Sequence, residues 1–166
     1  MSEKLLYILA TFDEETSKKF KEIECNLNEV GIIGKQTPGI PSHITIAAFE
    51  TTYEDKVRQT IEEACSKTKS FEVAFSHVGL FGMKVLFLAP NVSYNLLELR
   101  KLFERDCIKN DQIWTPHATL LIDGQENIIK AIPIVANDFQ QLRGKVKGLR
   151  LYEFFPPRLV AEYELQ

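Results

Sequence analysis

Apolar and polar positions divide the start of the chain into a strand, an amphipathic helix and a loop. Residues 4–12 are largely apolar and end at a run of acids, which is typical of a buried strand. Apolar residues then recur at helical spacing between residues 14 and 30, with Asp13 placed to cap the helix and Gly31 to end it. Two prolines and two glycines within residues 34–41 predict a loop.

The rest of the chain continues this alternation of strands and helices. In order, the sequence predicts a strand at 43–49, a helix to about residue 69, a hairpin of 71–78 and 85–89 around a turn at 79–83, a helix from about residue 93 with apolar positions up to Cys107, a strand at 117–122, a helix from residue 125, and a closing hairpin of 145–154 and 158–165. We expect Pro133 to break or kink the last helix, because proline has no amide hydrogen to donate.

The order of these elements nearly repeats itself, and the second part lacks only an opening strand. No linker or shift in composition separates the two parts. We therefore expect an α+β fold in which residues 1–166 form one bilobal domain. Its two pseudo-symmetric lobes would be antiparallel sheets with outer helices around a central cleft.

Composition and charge narrow the class of protein. The 166 residues are 45% hydrophobic and 26% charged, and no run reaches the roughly 18 apolar residues of a membrane helix. Cys25, Cys65 and Cys107 are widely spaced and each falls on the apolar side of a predicted helix, so we expect buried thiols in a reducing cytoplasm. A net charge of −3 favours a nucleotide or an RNA end as ligand over a long nucleic acid.

Two of the three histidines lie in matching contexts. His43-Ile44-Thr45 parallels His117-Ala118-Thr119 at corresponding places in the two predicted lobes. Side chains two residues apart on a strand project from the same face, so each histidine points together with its threonine. If the two strands lie side by side, one imidazole can take a proton from water while the other gives one to a leaving oxygen. The threonine hydroxyls can donate hydrogen bonds to the phosphate.

Other side chains have weaker claims to this site. His77 has no threonine partner and is interpreted as a structural residue at a strand end. No third ligand at metal-binding spacing accompanies the paired histidines, so we expect neither a metal nor another cofactor. Lys35 and Arg158 are candidates for an extra phosphate contact. Three aromatic residues could stack a base, although a place in the core is the more common role for each: Trp114, Tyr152 and Phe155.

The paired His-x-Thr strands in a two-lobed repeat resemble the 2H phosphoesterase superfamily, especially its 2′-5′ RNA ligase-like and cyclic phosphodiesterase branch. The resemblance implies metal-independent hydrolysis of a 2′,3′-cyclic phosphate on a nucleotide or RNA end, and in some members reversible 2′-5′ ligation. It further implies that His43 is the proton donor and His117 the proton acceptor during hydrolysis.

Two other classes of function compete with this interpretation. A non-catalytic nucleotide-binding or phosphate-binding module of the same fold would use the same four residues to hold a phosphate. Two acid–base groups favour an enzyme, since binding alone does not require them. A structural or partner-binding domain with incidental motifs is the third alternative. For the enzyme we expect a cytoplasmic monomer that contacts no membrane.

Overall fold

The computed structural model describes residues 3–137 and 139–166. The elements in these ranges follow the alternating order that the sequence predicts, with one turn of 3₁₀ helix at Thr51–Tyr53. They are β1 (Leu5–Phe12), α1 (Glu14–Glu29), β2 (His43–Glu50), α2 (Glu54–Lys67), β3 (Phe71–Phe81), β4 (Val85–Pro90), α3 (Tyr94–Lys101), β5 (Ala118–Ile122), α4 (Gln125–Ala136), β6 (Leu142–Phe154) and β7 (Arg158–Glu164). The predicted α+β class is confirmed.

The strands form one antiparallel sheet in the order β2-β1-β6-β3-β4-β5, with β7 also paired to β6. The long strand β6 belongs to both halves of this sheet, because Leu142–Val146 pair with β3 whereas Gly148–Glu153 pair with β7. We call β2, β1, β7 and the later part of β6 the first half-sheet. The second half-sheet is β5, β4, β3 and the early part of β6, so β6 supplies the strand that the second sequence repeat lacks.

One face of the sheet carries the hydrophobic core, and we call it the helix face. In β1 the alternate residues Leu6, Ile8 and Ala10 are fully buried there. All four helices contact strands of the sheet. Helix α1 begins where the Asp13 carboxylate accepts a hydrogen bond of 2.9 Å from the Thr16 amide, which satisfies one of the free amides of its first turn.

The opposite face carries the paired histidines, and we call it the histidine face. The outer strands β2 and β5 contact each other, although they stand at the two ends of the strand order. The sheet is therefore strongly curved, as expected for twisted strands that close toward one another. In the part of the chain that the structure describes, no helix is long and apolar enough to cross a membrane.

Some sequence predictions about individual elements are wrong. Pro133 does not end α4, which continues to Ala136, because the loss of one amide comes in the last turn and Pro133 O still accepts a 3.0 Å bond from Asn137 N. Cys25 is exposed, since it lies two residues and about 200° around the helix from Ile23, which packs against the core. Cys65 and Cys107 are buried as predicted.

Strand β3 is longer than predicted and helix α3 is shorter. Residues 79–81 continue β3 where the sequence predicts a turn, because they pair with β4 as far as Phe81 opposite Val85. Helix α3 ends at Lys101, and the irregular segment that follows it buries Phe103 and Cys107 but leaves Leu102 exposed. Apolar spacing alone does not separate a helix from a buried turn over so short a stretch.

Candidate active site

The two His-x-Thr motifs lie at the starts of the two outer strands. His43 begins β2, and His117 immediately precedes β5. Within β2 the intervening Ile44 is fully buried on the helix face, and Ala118 plays the same part in β5. The alternation of a strand therefore places each histidine and its threonine on the histidine face, as the sequence predicts.

Both imidazoles make the same hydrogen bond to the backbone two residues before them. Nδ1 of His43 lies 2.7 Å from the Pro41 carbonyl oxygen, and Nδ1 of His117 lies 2.7 Å from the Thr115 carbonyl oxygen. A carbonyl oxygen only accepts, so this partner assigns the proton of each ring to Nδ1. Nε2 of each ring is then left to exchange protons with a ligand.

Each motif is held in place by the segment that precedes the other motif. Ahead of β5, Trp114 donates from Nε1 to the Thr45 carbonyl oxygen at 3.0 Å. Ahead of β2, the Lys35 amide donates to the Ile122 carbonyl oxygen at 2.6 Å, and Gln36 accepts from the Ile122 amide at 3.1 Å. These bonds occupy the outer edges of β2 and β5, which the sheet itself leaves unpaired. The exchange ties the two motifs together.

The two histidines interact electrostatically. Burial lowers the pKa of His43, and the charge on His117 lowers it further, against the opposing effect of the hydrogen bond to Pro41. In the free protein at neutral pH His43 is therefore held toward its neutral form.

The surroundings of the two imidazoles differ. The His117 ring lies edge-on to Phe81, with centroids 4.7 Å apart, and at 5.3 Å from the ring of Phe87. Phe81 and Phe87 contact each other at 4.4 Å. Among the described residues no aromatic ring packs on His43 in this way. The sequence does not predict this aromatic pair.

The structure also locates His77, which the sequence places at a strand end. It lies within β3, opposite Ala89, after an irregularity in the pairing between Phe75 and His77. Phe75 is buried in the core, whereas His77 is exposed on the histidine face, because the extra residue reverses the alternation of β3. The prediction that His77 ends a strand is wrong.

The other candidate contacts lie elsewhere or are already engaged. Arg158 binds Glu54 at 2.7 Å and Glu153 at 3.1 Å, at the end of the sheet near α2, so it is not a free phosphate ligand. The Arg100 guanidinium lies over the Trp114 ring, with its Cζ 5.2 Å from the ring centroid. Trp114 is thus engaged both by Arg100 and by its hydrogen bond to β2. The Lys35 side chain is exposed near β5. The pKa of Asp123 is lowered mainly by the hydrogen bond from Asn127, and the charge of Lys35 lowers it further.

The two remaining aromatic candidates belong to a cluster at the far end of the first half-sheet. Tyr152 is buried and stacks on Phe154 with centroids 5.6 Å apart. Phe155 is exposed and packs against Phe154 at 5.1 Å. Tyr152 pairs with Tyr7 of β1, and His43 pairs with Thr11 of the same strand. Tyr7 and Thr11 are four residues apart, which is about 13 Å along the strand. Neither residue adjoins the paired histidines.

One cavity lies away from the histidines. It measures about 380 Å³ and is lined by Glu50, Tyr53 and residues 105–109. Glu50 ends β2, and the seven residues back to His43 span about 23 Å of strand. In residues 3–137 and 139–166, no group of three or more His, Cys, Asp or Glu is placed to hold a metal ion. The paired histidines therefore do not line this cavity.

The comparisons with known proteins identify the family of the chain. The model of the 2′-5′ RNA ligase superfamily matches residues 12–154, so the chain belongs to this superfamily of 2H phosphoesterases and RNA ligase-type enzymes. The family resemblance predicted from the motifs is confirmed. No curated protein matches the sequence significantly.

Solved structures share the fold over nearly the whole chain. E. coli LigT complexed with 3′-AMP is 13% identical with a TM-score of 0.67, and the match covers 99% of both chains. TT0787 of Thermus thermophilus is 14% identical with a TM-score of 0.66, over 97% of both chains. E. coli LigT complexed with ATP is 16% identical with a TM-score of 0.63, over 99% of both chains. At these identities the likeness shows the fold alone.

Proposed function

We propose that the protein hydrolyses a 2′,3′-cyclic phosphate on a nucleotide or an RNA end, without a metal. The observation that carries the proposal is the matched hydrogen bonding of the two imidazoles, each with Nδ1 on a carbonyl oxygen two residues before it. This arrangement leaves two Nε2 atoms for proton transfer, which a site that only binds phosphate does not need. Thr45 and Thr119 share the histidine face and bind the substrate through their hydroxyls.

The reaction needs one proton acceptor and one proton donor. Water attacks phosphorus while Nε2 of His117 takes its proton, the role that the family resemblance implies. The bond from phosphorus to one ribose oxygen breaks, and that oxygen takes a proton from Nε2 of His43. One P–O bond forms and one breaks, which leaves a 2′- or 3′-phosphate monoester.

The substrate itself helps His43 to act as the donor. Burial and the charge on His117 lower the pKa of His43 in the free protein. A bound phosphodiester carries a negative charge beside the imidazole, and this charge favours the protonated form of the ring. The donor is thus charged when its anionic substrate is present. The hydroxyls of Thr45 and Thr119 stabilise the additional charge that develops on the non-bridging oxygens.

Ligands of structurally similar proteins support a nucleotide substrate. E. coli LigT has been crystallised with 3′-AMP, with NADP⁺ and with ATP. For this chain we propose a nucleotide or RNA terminus with a cyclic phosphate, bound by a cytoplasmic monomer.

Turnover of the four nucleoside 2′,3′-cyclic phosphates, measured in excess chelator, tests the proposal. We expect one phosphate monoester product per substrate, at the same rate with and without chelator. Binding of these nucleotides without turnover would favour the non-catalytic module of the same fold. Activity that is lost in chelator and restored by zinc or manganese would contradict the metal-independent mechanism.

A further inference from the structure

The second half-sheet carries an exposed aromatic ring beside the histidine pair. Phe81 is 39% exposed, yet its ring is in contact with both His117 and Phe87. It lies on the histidine face because the irregularity after Phe75 reverses the alternation of β3, so that Phe81 falls on the same face as Gly79 and His77. Its ring is thus presented to any ligand held at His117.

The ring of Phe81 is supported from the sheet side. Phe87 is only 6% exposed and packs against both Phe81 and His117. It pairs with Gly79 on the neighbouring strand, and a Cβ built on Gly79 would lie 2.4 Å from the Phe87 ring. The absence of a side chain at residue 79 therefore lets Phe87 lie flat against the sheet. A supported ring loses little freedom when a ligand stacks on it.

The corresponding place in the first half-sheet has no such platform. In the second half-sheet, Thr119 pairs with Phe87, and Phe87 pairs with Gly79. In the first half-sheet, Thr45 pairs with Leu9, and Leu9 pairs with Arg150. An aliphatic side chain and a guanidinium thus stand beside Thr45, in place of a ring lying over a glycine. Of the two histidines, His117 is therefore the one with an aromatic surface directly beside it.

We propose that Phe81 stacks the base of the nucleotide whose cyclic phosphate lies between His43 and His117. The inference rests on the proposed function and makes its substrate a nucleoside cyclic phosphate rather than a sugar cyclic phosphate. In such a substrate one ribose separates the base from the phosphate. Phe81 is 4.7 Å from His117, so a phosphate at His117 brings the base within reach of the ring. Aromatic stacking accepts any base and needs no hydrogen-bonding partner.

The test compares two substrates that differ only in the base. Adenosine 2′,3′-cyclic phosphate carries one, and methyl ribofuranoside 2′,3′-cyclic phosphate has a methoxy group in its place. The variants are Phe81→Ala, Phe81→Tyr and Leu80→Ala. Leu80 is a matched control, because it is 41% exposed on the same strand but pairs with the buried Leu86 and projects to the opposite face.

Phe81→Ala should lower kcat/KM for the adenosine substrate about 5- to 150-fold, mostly through KM, as loss of one stacked base does. It should change kcat/KM for the base-free substrate by less than about twofold. Phe81→Tyr should restore the value for adenosine, and Leu80→Ala should alter neither.

Three results would overturn the inference. Equal losses on both substrates after Phe81→Ala would show that the ring only positions His117, and no loss on either would show that it does not touch the base. If the unmutated protein hydrolysed neither substrate, that result would contradict the proposed function itself, and the inference with it.

Discussion

The two half-sheets share their His-x-Thr motifs but differ in the surface around them. Each carries a histidine whose Nδ1 is fixed by a backbone carbonyl, followed by a threonine on the same face. Beside His117 the sheet adds the rings of Phe81 and Phe87. The duplicated part is the pair of His-x-Thr motifs, and the divergent part is the surface of the sheet beside them.

The first half-sheet has a charged side chain where the second has a glycine. Arg150 binds Glu162 through Nε at 3.1 Å, across the pairing of β6 with β7. This bond holds the guanidinium on the histidine face two strands from Thr45. The first half-sheet therefore offers charge and hydrogen-bond donors, whereas the second offers aromatic surface. Each of the following variants tests whether the two halves are equivalent or different at one position.

Substitution of the histidines should have the largest effect on turnover, and the effect should be similar in the two half-sheets. Removal of either acid–base group, in His43→Ala or His117→Ala, should lower kcat about 10²- to 10⁴-fold on a cyclic nucleotide. The double variant should be at most about tenfold slower than the slower single variant, because donor and acceptor act together. Steady-state kinetics of the three variants on one substrate make this measurement. Additive losses would indicate two independent sites.

The threonines should show smaller and again matched effects. Thr45→Val or Thr119→Val removes one neutral donor to phosphate, worth on the order of 1–3 kcal/mol, or about 5- to 150-fold in kcat/KM. Part of each loss should appear as weaker binding of a nucleoside monophosphate product, which isothermal titration calorimetry can measure. A threonine variant that abolishes turnover while its neighbouring histidine can be removed without effect would reverse the assigned roles.

Gly79 should show that the second half-sheet depends on its aromatic platform. In Gly79→Ala the new methyl collides with the Phe87 ring, and such overpacking costs about 1–3 kcal/mol of unfolding free energy. In the control Gly124→Ala the new methyl meets nothing within 4 Å. Because Gly124 is the N-cap residue of α4, replacing it with alanine changes only the helix cap and should cost less than about 1 kcal/mol of unfolding free energy. Urea denaturation of both variants measures the difference. Equal stability of the two would contradict the close contact at residue 79.

His43 should contribute to the pH dependence of the unfolding free energy, and this should be the smallest effect of the series. Its pKa is lowered in the folded protein, so below about pH 6.5 the unfolded chain binds the proton more readily. The folded protein therefore loses stability as the pH falls from about 6.5 through the lowered pKa, and this contribution is absent above that window. His43→Gln should reduce the difference in unfolding free energy between pH 8 and pH 5.5. An unchanged difference would mean that the surroundings of His43 do not lower its pKa in the free protein.

The sequence predicts the paired motifs well because their geometry is local. Strand alternation is sufficient to place His43 with Thr45, and His117 with Thr119, on one face. The repeat of strand, helix and hairpin likewise follows from hydrophobic periodicity, which resolves most element boundaries to within a few residues. The single bilobal domain over residues 1–166 stays a prediction.

The surroundings of the motifs depend on contacts that the sequence does not display. The aromatic side of the site arises because one extra residue after Phe75 reverses the alternation of β3, and this brings His77 and Phe81 onto the histidine face. Arg158 is unavailable to phosphate because Glu54, which is distant in sequence, binds it. Bulges and long-range ion pairs are set by tertiary packing, so residue spacing alone could not identify either.

The central claim is that one phosphate lies between the two histidines, and NMR titration of the imidazoles tests it most directly. The chain has three histidines, so His77 is an internal reference on the same face. Addition of adenosine 2′-monophosphate to the unmutated protein should shift the Cε1–H signals of His43 and His117 with a single dissociation constant, and should leave the His77 signal in place. A shift of only one of the paired signals, or two different dissociation constants, would contradict the shared site.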